Sequence, residues 1–272
     1  MDAQKPVNVE GGPVWIDLGT HDIEGAAEFY SGLFGWEFRE GSPEFGGYRM
    51  IHKDGLPIGG AMTTLMGPDG PSEEPLGPTA WSVYLRTADM DSTLEKATDN
   101  GAQVIVPAMD IADLGRMALV TDPAGAAVGL WESGSFDGIE NCARVATPCW
   151  FELMTMDFDA ASSFYRDVLA WDLQQNPAQS EAAPNVRYVT HGTGERTAAG
   201  MCEANSFMPE GTPSFWRVYF GTADLDSALS TLEELGGTVL HPGADTPFGR
   251  LATVADPQGA GFQILGIAEQ YR

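Results

Sequence analysis

Basic residues are scarce in this chain: 14 Lys and Arg stand against 39 Asp and Glu in 272 residues, a formal net charge of −25. Such a field repels phosphate backbones and anionic lipid surfaces, which removes nucleic acid and membrane from the expected partners and leaves solubility as the ordinary use of the acidity. Cysteine is scarcer still. Cys142, Cys149 and Cys202 form no CxxC pair and have no histidine at zinc-ligand spacing, so free thiols are expected. No window approaches the ~18 continuous apolar residues that a membrane span requires. The start, MDAQKPVNV, has no basic stretch followed by an apolar run. A soluble, cytoplasmic protein is the expectation.

What is present is a globular composition, 43% apolar, punctuated by 33 glycines and 18 prolines as in domains built from many short strands. The length exceeds the usual size of one domain and predicts two compact units. An internal repeat supplies them. PVWIDLGTHDIEGAAEFYSGLFGW aligns with PCWFELMTMDFDAASSFYRDVLAW at a constant offset of 135, setting Trp15 on Trp150, Asp17 on Glu152 and Trp36 on Trp171. AWSVYLRTADMDSTL matches FWRVYFGTADLDSAL at the same offset, and GRMALVTDPAGAAVGL matches GRLATVADPQGAGFQI at 134. The division read from this is a tail at 1–12, copy one at 13–132, a linker at 133–146 and copy two at 147–272. Disorder is not expected beyond this tail.

Within each copy the pattern repeats again. VWIDL reads as a strand, Asp22 as the N-cap of a helix with Ala26, Phe29, Tyr30, Leu33 and Phe34 on one face, and YRMIHKDG with PIGGAMTTL as a hairpin turning at Asp54-Gly55. WSVYLRT restarts the cycle, followed by a helix from about Asp89 to Asn100 and three strands, AQVIVP, GRMALVTDP and AAVGLWE. The prediction is an α+β fold of tandem modules, each two βαβββ units forming a curved mixed sheet around a cleft. A small-molecule pocket is the default expectation for such a cleft.

The ordered set of a strand with Asp or Glu, FYxxLFGW, AD(M/L)D and a closing DPxGxxxxL, occurring twice, resembles the vicinal oxygen chelate (VOC) superfamily of glyoxalases, bleomycin-resistance proteins and extradiol dioxygenases. WIDL, PAMDIADLGRM and DPAGAAVGLW are similar to a two-domain actinobacterial subgroup that includes a mycobacterial antigen and proteins labelled glyoxalase-like or hydroxylase. The resemblance implies one divalent metal held by residues on the first, fifth and eighth strands of a module. In this chain those positions fall on Trp15, Ser82 and Gly129 in copy one and on Trp150, Arg217 and Gln263 in copy two. Tryptophan has no lone pair to give, glycine has no side chain and arginine remains a cation, so no metal and no other cofactor is expected.

Residues two apart on a strand share a face, so Trp15 brings Asp17 into the first cleft and Trp150 brings Glu152 into the second. An inward carboxylate is costly unless it is partnered. Two readings stay open: a cross-strand ion pair of Glu152 with Arg217 in place of the metal, or catalytic Asp17 and Glu152 acting as general bases. Tyr84 and Tyr219 share faces with Ser82 and Arg217, and Trp131 with Gly129. The expected ligand-binding set is therefore Trp15, Ser82, Tyr84, Trp131, Trp150, Arg217, Tyr219 and Gln263, an aromatic lining suited to a flat hydrophobic molecule. The functional expectation is a metal-independent binder of an aromatic or amphipathic small molecule, with an acid/base enzyme of secondary metabolism as the alternative. The second cleft, with Arg217 and Gln263, is expected to be the more receptive, and the chain to be a monomer or homodimer.

Overall fold

The computed structural model describes residues 5–40, 46–67, 70–176 and 185–267. Copy one runs β1 (Pro13–Thr20), α1 (Ile23–Phe34), β2 (Glu37–Glu40), β3 (Arg49–Lys53) and β4 (Leu56–Thr63). A short ladder, β5 (Met66–Gly67) and β6 (Gly70–Pro71), leads to β7 (Ala80–Arg86), α2 (Met90–Asp99), β8 (Gln103–Ile111), β9 (Gly115–Thr121) and β10 (Ala127–Ser133). Copy two runs β11 (Pro148–Thr155), α3 (Phe158–Leu169), β12 (Leu173–Gln175), β13 (Tyr188–His191) and β14 (Gly200–Glu203). Its second unit is β15 (Phe215–Thr222), α4 (Leu225–Glu234), β16 (Thr238–Thr246), β17 (Gly249–Ala255) and β18 (Gly261–Gly266). Each copy is thus two βαβββ units in one eight-stranded mixed sheet, ordered β2-β3-β4-β1-β7-β10-β9-β8 and β12-β13-β14-β11-β15-β18-β17-β16.

Local chemistry sets these elements. Among the described residues each of the four α-helices starts on an aspartate whose carboxylate accepts a backbone N–H three residues on: Asp22 from Gly25, Asp89 from Ser92, Asp157 from Ala160 and Asp224 from Ser227. The β3–β4 hairpin turns on Asp54 and Gly55, both at positive φ (53° and 79°), the geometry of the tight turn its sequence called for. In β1, Val14, Ile16 and Leu18 face the helices and join the core with Ala26, Phe29, Tyr30 and Phe34. Alternation sends Trp15 and Asp17 to the concave face.

The two copies pack on each other through a shared aromatic core. Phe34 of α1 lies 5.5 Å from Phe220 of copy two, and Trp36 lies 4.9 Å from the same ring. Two equivalent hydrogen-bond chains cross the interface. Trp81 donates to the Tyr30 hydroxyl (3.0 Å), which donates to Asp256 (3.2 Å); Trp216 donates to Tyr165 (3.0 Å), which donates to Asp122 (3.0 Å). The same two aspartates shape the Asp-Pro turns, Asp122 accepting from Ala124 and Ala126 and Asp256 from Gln258 and Ala260. Tyr165→Phe strands both the indole N–H of Trp216 and one oxygen of Asp122. It is expected to cost about 2 kcal/mol in urea unfolding, with no change in secondary structure by circular dichroism.

The segment read as a tail is tied down near its end, at residues 10–12. Gly11 and Gly12 exchange backbone hydrogen bonds with Arg86 (both 2.9 Å), and Trp171 donates its indole N–H to the Gly11 carbonyl (3.0 Å). His191 accepts the Asp172 N–H at Nδ1 and so carries its proton on Nε2, 2.8 Å from the Glu10 carbonyl. Its ring stacks on Trp171 at 5.1 Å. A polar, glycine-ended dodecamer lacks a core signal of its own; it is held by groups from both copies.

Candidate functional site

In the first groove, β1 is flanked by β4 and β7, with Asp17 opposite Gly60 on one side and Ser82 on the other, and Trp15 opposite Tyr84. The Asp17 carboxylate is buried, and among the described residues its partners are neutral donors. Its Oδ1 accepts the Tyr48 hydroxyl at 2.6 Å and the Trp15 indole N–H at 2.9 Å, and the Tyr84 hydroxyl bonds it as well. Burial pushes this carboxyl above its ordinary value and the three donors only partly offset that; the same burial, beside a carboxylate, pushes both tyrosines well up. Two glycines make the space. A Cβ on Gly60 would collide with the Tyr48 hydroxyl, and one on Gly129 with the Tyr84 ring.

The raised Asp17 carboxyl has a defined sign in stability. Ionisation is disfavoured in the folded chain, so the contribution of this group is full below its ordinary value of 3.8 and fades as pH rises through the raised value. Asp17→Asn cannot titrate. The stability lost on that substitution should be largest in acid and narrow as pH rises, measured by urea unfolding from about pH 3 to about pH 8; a gap that widens with pH would contradict the assignment.

Copy two rebuilds the constellation one methylene longer. Tyr219 donates to Glu152 Oε2 at 2.5 Å, Tyr188 bonds the same carboxylate, and the Trp150 indole N–H bonds Tyr188. A Cβ on Gly200, opposite Glu152 in register, would collide with the Tyr188 hydroxyl. Arg217 also sits opposite Glu152, yet the expected ion pair is not formed: its guanidinium lies 5.4 Å from the centre of the Phe215 ring and bonds Tyr219. The tyrosines reach the carboxylate first. Gln263 is fully buried and its Oε1 accepts from Thr253 at 2.9 Å.

The donor set at the six implied metal positions does not fit an ion. Trp15 and Trp150 spend their N–H groups on Asp17, Tyr48 and Tyr188; Ser82 brings one neutral hydroxyl; Gly129 lies under Tyr84; Arg217 is a cation; and the Gln263 oxygen is engaged by Thr253. Among the described residues no group of three or more His, Cys, Asp or Glu could hold a metal. His52, on β3, lies within reach of the Met50 carbonyl (3.3 Å), and His191 is spent on the N-terminal segment.

In copy two a cavity of about 710 Å³ opens against Trp150, walled by Pro148, Phe151, Phe248, Leu265 and Ile267 and by Lys5, Pro6 and Val7 of the N-terminal segment. Of the second-copy residues expected to bind ligand, Trp150 lines it. Glu152 on β11 and Gln263 on β18 share strands with lining residues, Arg217 and Tyr219 lie on β15, and none of the four joins the lining. In copy one the linker packs on the corresponding tryptophan: Phe136 lies edge-on to Trp15 at 5.0 Å and to Trp131 at 6.2 Å, and its carbonyl accepts the Trp131 indole N–H at 3.2 Å.

Tyr48, Tyr188 and the N-terminal wall were not anticipated. A signal for the tyrosines exists, since each stands twelve residues before its partner glycine, Tyr48 with Gly60 and Tyr188 with Gly200.

Fold and groove define a class. The chain belongs to the Glyoxalase/Bleomycin resistance protein/Dioxygenase superfamily, matched over residues 12–130 and again over 147–264. It is 37% identical over 264 residues to the glyoxylase-named protein CFP32 of Mycobacterium tuberculosis, covering 96% of this chain and 97% of that one. It is 36% identical over 268 residues to the anthracycline biosynthesis protein DnrV of Streptomyces peucetius, covering 96% and 95%. Among solved structures, the Mn(II)-bound glyoxalase of Novosphingobium aromaticivorans superposes with a TM-score of 0.62 at 10% identity, over 97% of this chain and 86% of that one. The 2,3-dioxygenase LapB of Pseudomonas sp. KL28 gives 0.59 at 12%, over 99% and 97%. At such identities these two likenesses concern the fold alone. No helix among the described residues is long and apolar enough to cross a membrane.

Proposed function

We propose that this protein binds a flat aromatic small molecule in the groove of copy two, against Trp150, without a metal and without transforming it. The observation that carries the reading is the cavity of about 710 Å³ beside Trp150, a volume within the range of small-molecule sites, its lining shared almost evenly between apolar and polar groups. The two buried carboxylates support binding over acid/base chemistry. Asp17 and Glu152 accept hydrogen bonds from tyrosine hydroxyls, and Glu152 lies outside the cavity lining. The relationship to DnrV favours a polycyclic phenol or quinone of secondary metabolism, held as by a carrier or a sequestering protein. The net charge of −25 disfavours nucleic acid and anionic membranes as partners, and the core shared between copies suits a cytoplasmic monomer.

Titration with alizarin, a planar dihydroxyanthraquinone, tests this. Tryptophan fluorescence is expected to quench to saturation at one equivalent, with the dye recovered unchanged by chromatography. Conversion of the dye that is lost in Glu152→Gln would establish the acid/base enzyme instead, and absence of any saturable quenching would remove the binding reading.

A further inference from the structure

The cysteines are free thiols, and two of them stand at the two ends of one tight turn. Cys142 lies in the last part of the linker and Cys149 is the second residue of β11. Between them the chain reverses direction. The Thr147 N–H donates to the Arg144 carbonyl at 3.2 Å and the Thr147 hydroxyl donates to the same carbonyl at 3.0 Å, with Ala143 and Ala146 both at φ 58°. The Ala143 N–H then donates to the Pro148 carbonyl at 2.7 Å, which pairs the two arms.

That last bond limits how far apart the cysteines can be. The Cα of Cys142 lies in the same rigid peptide plane as the Ala143 N–H, and the Cα of Cys149 in the plane of the Pro148 carbonyl. With the hydrogen bond made, standard bond lengths leave the two Cα atoms at most about 6.5 Å apart. A disulfide spans about 4.4–6.8 Å between Cα atoms. In an antiparallel pair this is the position without its own hydrogen bonds, where facing side chains come closest. Both side chains also line one wall, beside Trp150. Burial pushes the Cys142 thiol up to about 12; the Cys149 thiol goes higher, from burial first and then because the charge of Cys142 reaches it. Cys202, on β14, is placed apart: its Sγ reaches the Glu203 carbonyl (3.9 Å), and the charges around it are those of Glu152, Arg217 and Glu203.

We propose that Cys142 and Cys149 form a redox modification site, a dithiol that a low-molecular-weight disulfide oxidises to a disulfide bond closing the linker turn onto β11. One cysteine thiolate attacks a sulfur of the reagent, a mixed disulfide forms and one reagent thiolate leaves. The second cysteine thiolate attacks the protein sulfur of that mixed disulfide, the bond between Cys142 and Cys149 forms and the second reagent thiolate leaves. The two cysteines lose two electrons and two protons, and the reagent gains them as two thiols. Only the thiolate attacks, so the raised thiols make the exchange slow near neutral pH and faster in alkali. The bond closes an eight-residue loop and fastens the linker one residue before Trp150. It stands whether or not the neighbouring cavity holds a ligand.

Incubation of the full chain with one equivalent of 4,4′-dithiodipyridine at about pH 9 tests the proposal. Two thiopyridones are expected for each reagent molecule consumed, and the intact mass should fall by two hydrogens with no pyridyl group retained. Trypsin cuts after Arg144, between the two cysteines, so residues 117–144 and 145–166 should be found joined without a reductant and separate after one is added. In Cys149→Ala the yield is expected to halve to one thiopyridone per reagent, with a pyridyl group kept on the chain. Pyridyl adducts retained on both cysteines of the wild type overturn the inference, as does a bond from either to Cys202 or to a second chain. So does a Cys149→Ala chain that still releases two thiopyridones per reagent, or a wild-type pair that remains reduced after a day.

Discussion

Gly200→Ala is expected to be among the most damaging single-methyl additions in this chain. The added carbon would collide with the Tyr188 hydroxyl and come within 3.2 Å of the Trp150 ring, and neither neighbour is free to retreat. Tyr188 is buried and bonded to Glu152, which is itself buried and held from its other side by Tyr219. Moving the tyrosine removes one of the donors that keep a carboxylate out of water, so an overpacking cost and an unmet acceptor add up. A loss of about 3 kcal/mol follows. Because Trp150 donates to Tyr188, the wall of the cavity should shift with it, and alizarin affinity should fall in whatever fraction stays folded. Gly261→Ala is the control: its nearest neighbour would be 3.9 Å away, and urea unfolding should place it within about 0.5 kcal/mol of wild type. Equal effects at the two positions would show that Gly200 is not the seat of Tyr188.

Trp150→Ala and Trp15→Ala should separate function from stability, although the two residues are counterparts. Trp15 is 6% exposed, covered by Phe136 and bonded to Asp17 and Tyr48, so its removal should cost about 4 kcal/mol of stability and leave alizarin binding intact in the folded fraction. Trp150 is half-buried with the cavity against it. Its removal should cost less stability and weaken binding about 30-fold, the equivalent of about 2 kcal/mol for an aromatic anchor at the centre of a site. Chemical denaturation and fluorescence titration of both variants measure this. The reverse assignment, with binding lost in Trp15→Ala and retained in Trp150→Ala, would place the ligand in the wrong copy.

The fold was open to reading because its signals are local and occur twice. Four aspartate N-caps, a positive-φ pair at Asp54-Gly55 and period-two apolar runs each dictate an element without tertiary help. Alternation on β1 and β11 likewise places Trp15 with Asp17 and Trp150 with Glu152. The partners of those carboxylates were harder. Arg217 is the obvious cation across from Glu152, but Tyr188 and Tyr219 reach it from strands on either side, and only the bare Gly200 makes room for the first of them. Cross-sheet reach of this kind depends on the spacing of three strands and leaves one faint trace, a tyrosine twelve residues before a glycine in each copy. The surroundings of Trp15 and Trp150 lie beyond strand patterning altogether, since among the described residues they include Phe136, a linker residue, and Pro6 and Val7, from a segment that reads as a tail.

A crystal structure of the full chain soaked with alizarin tests the central claim most directly. Planar density edge-on to Trp150 and bounded by Phe248 and Leu265, with Phe136 still seated on Trp15 in the first groove, is the predicted result. Density confined to the outer surface, or a metal ion coordinated by side chains of either groove, would contradict it.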